Sequence, residues 1–146
     1  MRRNRTLCGR RGIAVVEFAL FLPLLLLFLA GAVDYAMLMR TGTSVADAAR
    51  AGAAYGSMSV ANATDNTGIQ NAALQAASDV TGLTATPVRT CQCSNGASIN
   101  CGGSCPSGKV QMYIQVIAQA TCPFLFSYPG VPFSGNVSTV AYMRVQ

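Results

Sequence analysis

The sequence contains no histidine and no tryptophan, and it has only five acidic residues. Histidine is the commonest general base in enzymes and the commonest protein ligand of zinc and iron. Its absence excludes catalytic triads and dyads built on imidazole. The few carboxylates are scattered, so no two of them suggest an acid and base pair. The sequence therefore predicts a protein that is not an enzyme and that binds no cofactor or metal.

Acidic residues are also missing from the N-terminus, where basic residues are concentrated. Five arginines lie within the first eleven positions, and the rest of the chain carries five basic and five acidic residues. Phosphate binding needs an extended positive surface, which a neutral body behind a basic tip does not form. We therefore expect no nucleic-acid partner and interpret the arginines as a membrane-orientation signal. With 146 residues, the chain has room for one domain and a membrane segment.

A long apolar run follows the arginines at residues 13–33, IAVVEFALFLPLLLLFLAGAV, where Glu17 is the one charge and Pro23 the one proline. As a helix rising ~1.5 Å per residue, this run reaches roughly the 30 Å thickness of the bilayer hydrocarbon. Arginines precede the run and Asp34 follows it, so the positive-inside rule places the N-terminus in the cytoplasm. The sequence predicts a single-pass inner-membrane protein, with residues 1–12 as a cytoplasmic leader and the C-terminal part exported.

Two parts of this region resemble other export signals. Ala30-Gly31-Ala32 has the A-x-A form of a signal peptidase site, and Arg10-Arg11 is similar to a twin-arginine signal. A cleavable secretory signal has an apolar core of only about 7 to 15 residues, shorter than this run. The residues after the two arginines match the twin-arginine pattern loosely. The length of the apolar run and the loose twin-arginine match both favour a membrane span that is retained in the protein.

Glu17 is unusual, because a carboxylate at the centre of a lipid-facing helix costs about 2.5 to 3.5 kcal/mol on insertion scales. Cleavage after Gly12 would create a new α-amino group at Ile13, close to this carboxylate in sequence. Gly12, Ile13 and the pair Glu17-Phe18 together resemble the prepilin peptidase site of type IV pilins, in the Tad/Flp branch. The resemblance implies that Glu17 neutralises the amine of its own or a neighbouring subunit. The alternative is an acid in an unprocessed protein that either snorkels to the membrane surface or faces other helices.

The resemblance extends along the chain. The block from Gly12 to Leu20 with Pro23, the pair Asp34-Tyr35 and the small residues at 46–52 are similar to the N-terminus of TadE-like pseudopilins. The later cysteine cluster and the ending AYMRVQ are similar to the same family. This resemblance implies a minor pilin or pseudopilin of a Tad-type pilus for secretion or adhesion, with its C-terminal domain in the bacterial periplasm. The implied partners are the prepilin peptidase, other pilin-type subunits and the pilus assembly platform.

The sequence of the exported part predicts two helical segments followed by strands. Residues 34–56 continue the first helix, since the stretch from Ala36 to Tyr55 is rich in alanine and methionine and lacks proline. The polar residues up to Asn66 predict a loop, and apolar residues at helical spacing predict a second helix from Thr67 to Val80. Alternating residues predict strands at 110–119 and 137–145, joined by a loop containing Pro129 and Pro132.

These elements predict an α+β, pilin-like fold. It has a long N-terminal membrane-spanning helix, a short second helix and a small antiparallel sheet, with residues 57–146 as the exported domain. A domain of this size has a small core and gains from covalent cross-links.

Cysteines supply those cross-links. Cys91, Cys93, Cys101 and Cys105 lie close together on the exported side, where thiols oxidise. We expect two disulfides that join the first two cysteines to the last two, with the pairing open. A zinc site is the alternative, but this spacing is not a usual ligand pattern. Cys8 is expected to be reduced in the cytoplasm, and the remaining Cys122 is expected to be a buried free thiol rather than an intermolecular bridge.

The competing function is an unprocessed, membrane-anchored periplasmic binding or scaffold module. The mature N-terminus separates the two hypotheses. A pilin is expected to begin at Ile13, an unprocessed module keeps its leader, and a secreted protein would begin near Val33.

Overall fold

The computed structural model describes residues 9–106, 108–126 and 135–146, with the backbone alone described for residues 9–13. Its elements are the helices α1 (Gly9–Ser57), α2 (Val60–Thr64) and α3 (Asn66–Ala76), and the strands β1 (Thr84–Cys93), β2 (Ser98–Ile99), β3 (Val110–Thr121) and β4 (Asn136–Arg144). A long apolar helix, short helices and an antiparallel sheet with two disulfides confirm the predicted α+β fold. The predicted loop with Pro129 and Pro132, residues 1–8 and therefore Cys8 lie outside the described residues.

The chain forms two compact units, residues 1–36 and residues 37–146. The described part of the first unit is a helix with an exposed apolar surface. Its large apolar side chains are between 37% and 73% exposed; they are Val15, Val16, Phe18, Leu20, Phe21, Leu22, Leu24, Leu25, Leu26, Leu27, Phe28, Leu29 and Val33. By length and composition α1 can cross a membrane, since its most apolar stretch has a mean hydropathy of 2.4. Such a surface is stable only when lipid or other apolar helices cover it.

In the second unit, the later part of α1 and the helix α3 pack against one face of a four-stranded sheet. The strand order is β2-β1-β3-β4, and all neighbours are antiparallel. Alternate residues of β3 face the helices and are buried, as the period of two requires. The buried core consists of Val45, Ala48, Ala49, Ala53, Ala63, Ile69, Ala73, Ala77, Leu83, Ala85, Ile114, Val116, Ala118, Ala120 and Val145.

Small residues let α1 approach α3 and β3 closely. A Cβ atom added at Gly52 would lie 3.1 Å from the carbonyl oxygen of Ile69, 3.2 Å from Cβ of Ala73 and 3.3 Å from Cγ1 of Val116. The first of these contacts is with backbone and cannot rotate away. The small-residue stretch at 46–52 therefore serves packing within this unit.

We expect Gly52→Ala to destabilise the second unit by about 1 to 3 kcal/mol, because overpacking outweighs the gain in helix propensity. Gly42→Ala is the matched control, since its Cβ would meet its nearest neighbour, Val137, at 4.0 Å. This control is expected to gain up to about 1 kcal/mol. Denaturant unfolding of the full chain in detergent, followed by tyrosine fluorescence, measures both. Equal stability of the two variants would contradict the packing argument.

The structure corrects two details of the helical prediction. The predicted loop contains α2, because the Ser59 side chain accepts a hydrogen bond from the Asn62 backbone N–H at 3.1 Å and so caps a short helix. The second helix begins at Asn66, as expected within a residue, but it ends at Ala76 rather than at Val80. Residues after its end remain part of the core, so their apolar spacing reflects burial rather than helix.

Strands β1 and β2 are absent from the sequence prediction. The burial pattern of β1 alternates only in part: Ala85, Cys91 and Cys93 are buried, but on the same face Pro87 is half-buried and Arg89 is exposed. β2 has only two residues. The sheet is therefore larger than the two strands that the alternation at 110–119 and 137–145 predicts.

Candidate functional site

The predicted processing and assembly residues lie near the start of α1. The backbone of Gly12 and Ile13 is helical, and Glu17 and Phe18 follow within the same helix. Residues four apart lie on one helix face about one turn from each other. Position 13 and the carboxylate position 17 are therefore neighbours along α1, which suits a charge pair between an amine at residue 13 and Glu17.

Glu17 is exposed and surrounded by apolar positions. Within the described part of the chain it forms no salt bridge, since the ion pairs there join Arg40 to Asp79 and Arg50 to Asp47. Phe18 is also exposed. If this helix lies in lipid, a charge that neutralises Glu17 has to come from the N-terminal end of the chain or from another molecule.

The second unit carries the predicted disulfides. Cys91 bonds to Cys101 with a Cα–Cα distance of 5.1 Å, and Cys93 bonds to Cys105 with a Cα–Cα distance of 5.8 Å. Both cysteines of β1 are 2% exposed and lie on the same strand face, two residues apart. Two disulfides among these four cysteines are confirmed, and the structure resolves the pairing that the sequence left open. The bonds hold β2 and the segment after it against β1.

We expect removal of either disulfide to destabilise the second unit by about 2 to 4 kcal/mol, because loop closure restricts the unfolded chain. The variants are Cys91→Ser with Cys101→Ser, and Cys93→Ser with Cys105→Ser. The bonds span sequence separations of 10 and 12 residues, so the two losses should be similar. Denaturant midpoints and non-reducing peptide mapping test this. Four alkylatable thiols at these positions in the native protein would contradict the presence of the two disulfides and with it this prediction.

Cys122 is buried, as expected, and forms no disulfide within the described part of the chain. The expectation that it forms no intermolecular bridge stays a prediction. The hydroxyl of Thr41 donates a hydrogen bond to its sulfur at 3.5 Å. The thiol borders a cleft of about 300 Å³ that Arg40 and Asp79 also line, and these two form a salt bridge at 3.3 Å. The arrangement ties α1 to the turn after α3 and to the end of β3.

A polar cluster that sequence reasoning missed joins α1 to the start of α3. The hydroxyl of Tyr55 donates to one carboxylate oxygen of Asp65 at 3.1 Å, and the N–H of Gly68 donates to the other at 2.9 Å. The hydrogen bond to Asp65 raises the pKa of Tyr55, with desolvation and the carboxylate charge acting in the same direction. A Cβ atom at position 68 would collide with the Asp65 carboxylate and the Tyr55 ring, so a side chain there would displace these two groups. The signal in the sequence was the spacing of Asp65 and Gly68 at a helix start.

Part of the chain matches a known family model. Residues 12–54 match the family model described as TadE-like protein. The matched segment begins at Gly12 and includes the apolar run and the small-residue stretch of α1. Neither the curated proteins nor the solved structures contain a match to the chain.

Proposed function

We propose, from the premise that residues 12–54 form a TadE-like domain, that this chain is a minor pilin or pseudopilin that takes part in assembly of a Tad-type pilus. The domain relates the chain to Tad pilus systems, and the assembly role is the proposal. The observation that carries it is the position of the match, which starts at Gly12, where prepilin cleavage is expected, and covers an apolar helix with an exposed carboxylate.

In this proposal the chain has four segments. Residues 1–12 are a cytoplasmic basic leader, residues 13–33 span the bacterial inner membrane, residues 34–56 continue the helix, and residues 57–146 form the periplasmic domain. Prepilin peptidase cuts after Gly12 and leaves an α-amino group on Ile13. The positive charge that precedes the span supports this orientation, because basic residues are retained in the cytoplasm.

Glu17 and Phe18 then serve assembly. The carboxylate pairs with the amine of Ile13 in its own or a neighbouring subunit when the helices leave lipid and pack together. The surrounding apolar side chains, from Val15 to Leu29, are exposed in the single chain and supply the packing surface. Removing that surface from lipid costs little when other apolar helices replace the lipid, so packing and charge pairing determine association.

The exported domain supplies a structural rather than an enzymatic role. Its core joins α1 to the sheet through alanine and glycine contacts. Its disulfides fix β2 and the segment after it against β1. A rigid domain at the end of a membrane helix presents a defined surface to other pilin-type subunits and to the assembly platform.

Deletion of the gene for this chain in its own bacterium tests the proposal. We expect pili of the Tad type to be lost or strongly reduced in electron micrographs and to return when the wild-type chain is restored. In-cell crosslinking should also join the chain to other pilin-type subunits. An unchanged number of pili in the deletion strain, with no such crosslinks in the wild type, would contradict the assembly role and favour a separate membrane-anchored module.

A further inference from the structure

The cleft beside Cys122 is formed by three parts of the second unit: α1, the turn after α3 and the end of β3. Its volume is about 300 Å³. Sites for small molecules commonly enclose about 300 to 1,000 Å³, so this cleft can hold one small polar group. Met37, Val80 and Pro123 give it an apolar side, and Arg40 and Asp79 give it a charged side.

Arg40 and Asp79 carry the charge among the described residues that line the cleft. Their side chains are 75% and 45% exposed, and one guanidinium nitrogen lies 3.3 Å from one carboxylate oxygen. A guanidinium has five N–H donors and a carboxylate has two acceptor oxygens, so each group can bind a ligand while the pair persists. Exposed ion pairs contribute little to stability, so a ligand can share these groups at small cost. The cleft therefore offers one positive and one negative group side by side.

A ligand complementary to this pair carries an anion and a cation a few atoms apart. The phosphoethanolamine headgroup of a phospholipid has this arrangement: its phosphate accepts hydrogen bonds from a guanidinium, and its primary ammonium donates them to a carboxylate. The quaternary ammonium of choline has no N–H and is typically bound by aromatic rings. The described residues that line the cleft include no aromatic side chain. An anionic headgroup would meet the carboxylate of Asp79 without a cation to pair with it.

The sequence keeps Arg40 close to the end of the apolar run. Arg40 is the first basic residue after Arg11 and follows Val33 by seven positions, all of them helical. Seven helical residues extend about 10 Å. The headgroup layer of one leaflet is about 5 to 8 Å thick, and a long arginine side chain can reach back toward it. When the apolar run spans a membrane, the guanidinium of Arg40 is therefore within reach of lipid phosphates.

We propose that this cleft binds the headgroup of phosphatidylethanolamine, with the phosphate on Arg40 and the ammonium on Asp79. The acyl chains of the lipid stay in the membrane, and the bound headgroup ties the second unit to the membrane surface. The proposal rests on the membrane anchoring in the proposed function and is independent of a role in pilus assembly.

Native mass spectrometry of the full chain in dodecyl maltoside tests the proposal by measuring the Kd of the first bound lipid. The added lipids have identical acyl chains and carry ethanolamine, choline or glycerol on the phosphate. We expect the ethanolamine lipid to bind at least about five-fold more tightly than the other two, since only it pairs with both charges. Arg40→Gln should weaken binding of the ethanolamine and the glycerol lipid alike. Asp79→Asn should weaken binding of the ethanolamine lipid and strengthen binding of the anionic glycerol lipid.

The opposite responses to Asp79→Asn separate ligand binding from structure, because loss of a salt bridge alone would not change two lipids in opposite directions. Arg50→Gln and Asp47→Asn are the matched controls. These residues form a second exposed salt bridge, also at 3.3 Å, outside the cleft. Both control variants should keep the wild-type preference. Soluble glycerophosphoethanolamine carries the same charged groups without acyl chains and should bind far more weakly than the lipid.

Equal Kd values for the three lipids, or an unchanged preference in the Asp79→Asn protein, would overturn the proposal. Equal affinity for the lipid and for soluble glycerophosphoethanolamine would assign the cleft to a free solute and overturn its assignment to lipid. A preference that appears only when residues 127–134 are replaced by glycine and serine would show that the chain itself fills the cleft, which would also overturn the proposal.

Flotation of the full chain with vesicles separates failure of this proposal from failure of the membrane anchoring. The chain should float with vesicles of the ethanolamine and choline lipids mixed and with vesicles of the choline lipid alone, because the apolar run inserts into both. A chain that floats with both but binds the three lipids equally keeps the anchoring and lacks the headgroup site. A chain that floats with neither would contradict the anchoring and this proposal together.

Discussion

Gly12→Trp is expected to leave nearly all of the protein as a full-length precursor that is still inserted in the membrane. Gly12 is the one small residue between the arginines and the apolar run, and the proposed cut falls directly after it. A bulky side chain at this position would not fit the peptidase site. The apolar run that drives insertion is unchanged, so the membrane level should remain close to that of the wild type.

Gly9→Trp is the matched control for this substitution. Gly9 also lies in the leader among arginines, but it is away from the proposed junction. We expect normal maturation of this variant. The ratio of precursor to mature protein, measured by intact mass after membrane extraction, compares the two. Normal maturation of the Gly12→Trp protein would show that cleavage, if it occurs, uses another site.

Glu17→Ala is expected to preserve insertion and to reduce assembly. Removing a carboxylate from the apolar helix relieves a penalty of about 2.5 to 3.5 kcal/mol on insertion scales. In the assembled state, however, the α-amino group of Ile13 would lose its partner in a surrounding of low dielectric constant. Breaking one half of a buried ion pair typically costs about 3 to 5 kcal/mol. We therefore expect crosslinking to other pilin-type subunits, and pilus formation, to fall at least ten-fold.

A second variant separates charge from shape at this position. Glu17→Gln keeps the size and polarity of the side chain and removes the negative charge. If pairing with the amine is the function of Glu17, the glutamine variant should fail in assembly as the alanine variant does, while cleavage after Gly12 continues. Unchanged crosslinking and pilus number in both variants would refute the pairing and support an unprocessed membrane-anchored module.

The elements predicted well from sequence are those with one buried face and ordinary apolar residues. β3 and β4 alternate clearly, because valine, isoleucine and methionine occupy the inward positions. β1 has the same geometry, but its inward positions include Cys91 and Cys93, whose burial follows from disulfide formation rather than from an aliphatic pattern. Strand prediction from apolar alternation therefore fails at this strand for a chemical reason.

Other features depend on three-dimensional neighbours that a sequence pattern does not contain. The disulfide pairing follows from the position of β2 beside β1, and the need for glycine at position 52 follows from the approach of Ile69, Ala73 and Val116. The processing and assembly residues are the opposite case. Gly12, Ile13, Glu17 and Phe18 form a local sequence motif, so the sequence indicates them, and their roles in processing and assembly stay a proposal.

The mature N-terminus of the wild-type protein tests the central claim most directly. The chain is extracted from the membrane of its own bacterium, and its intact mass and N-terminal sequence are determined. The account predicts a protein that begins at Ile13 and retains the whole apolar run. A protein that begins at Met1, or one that begins at Val33 after removal of the apolar run, would contradict it.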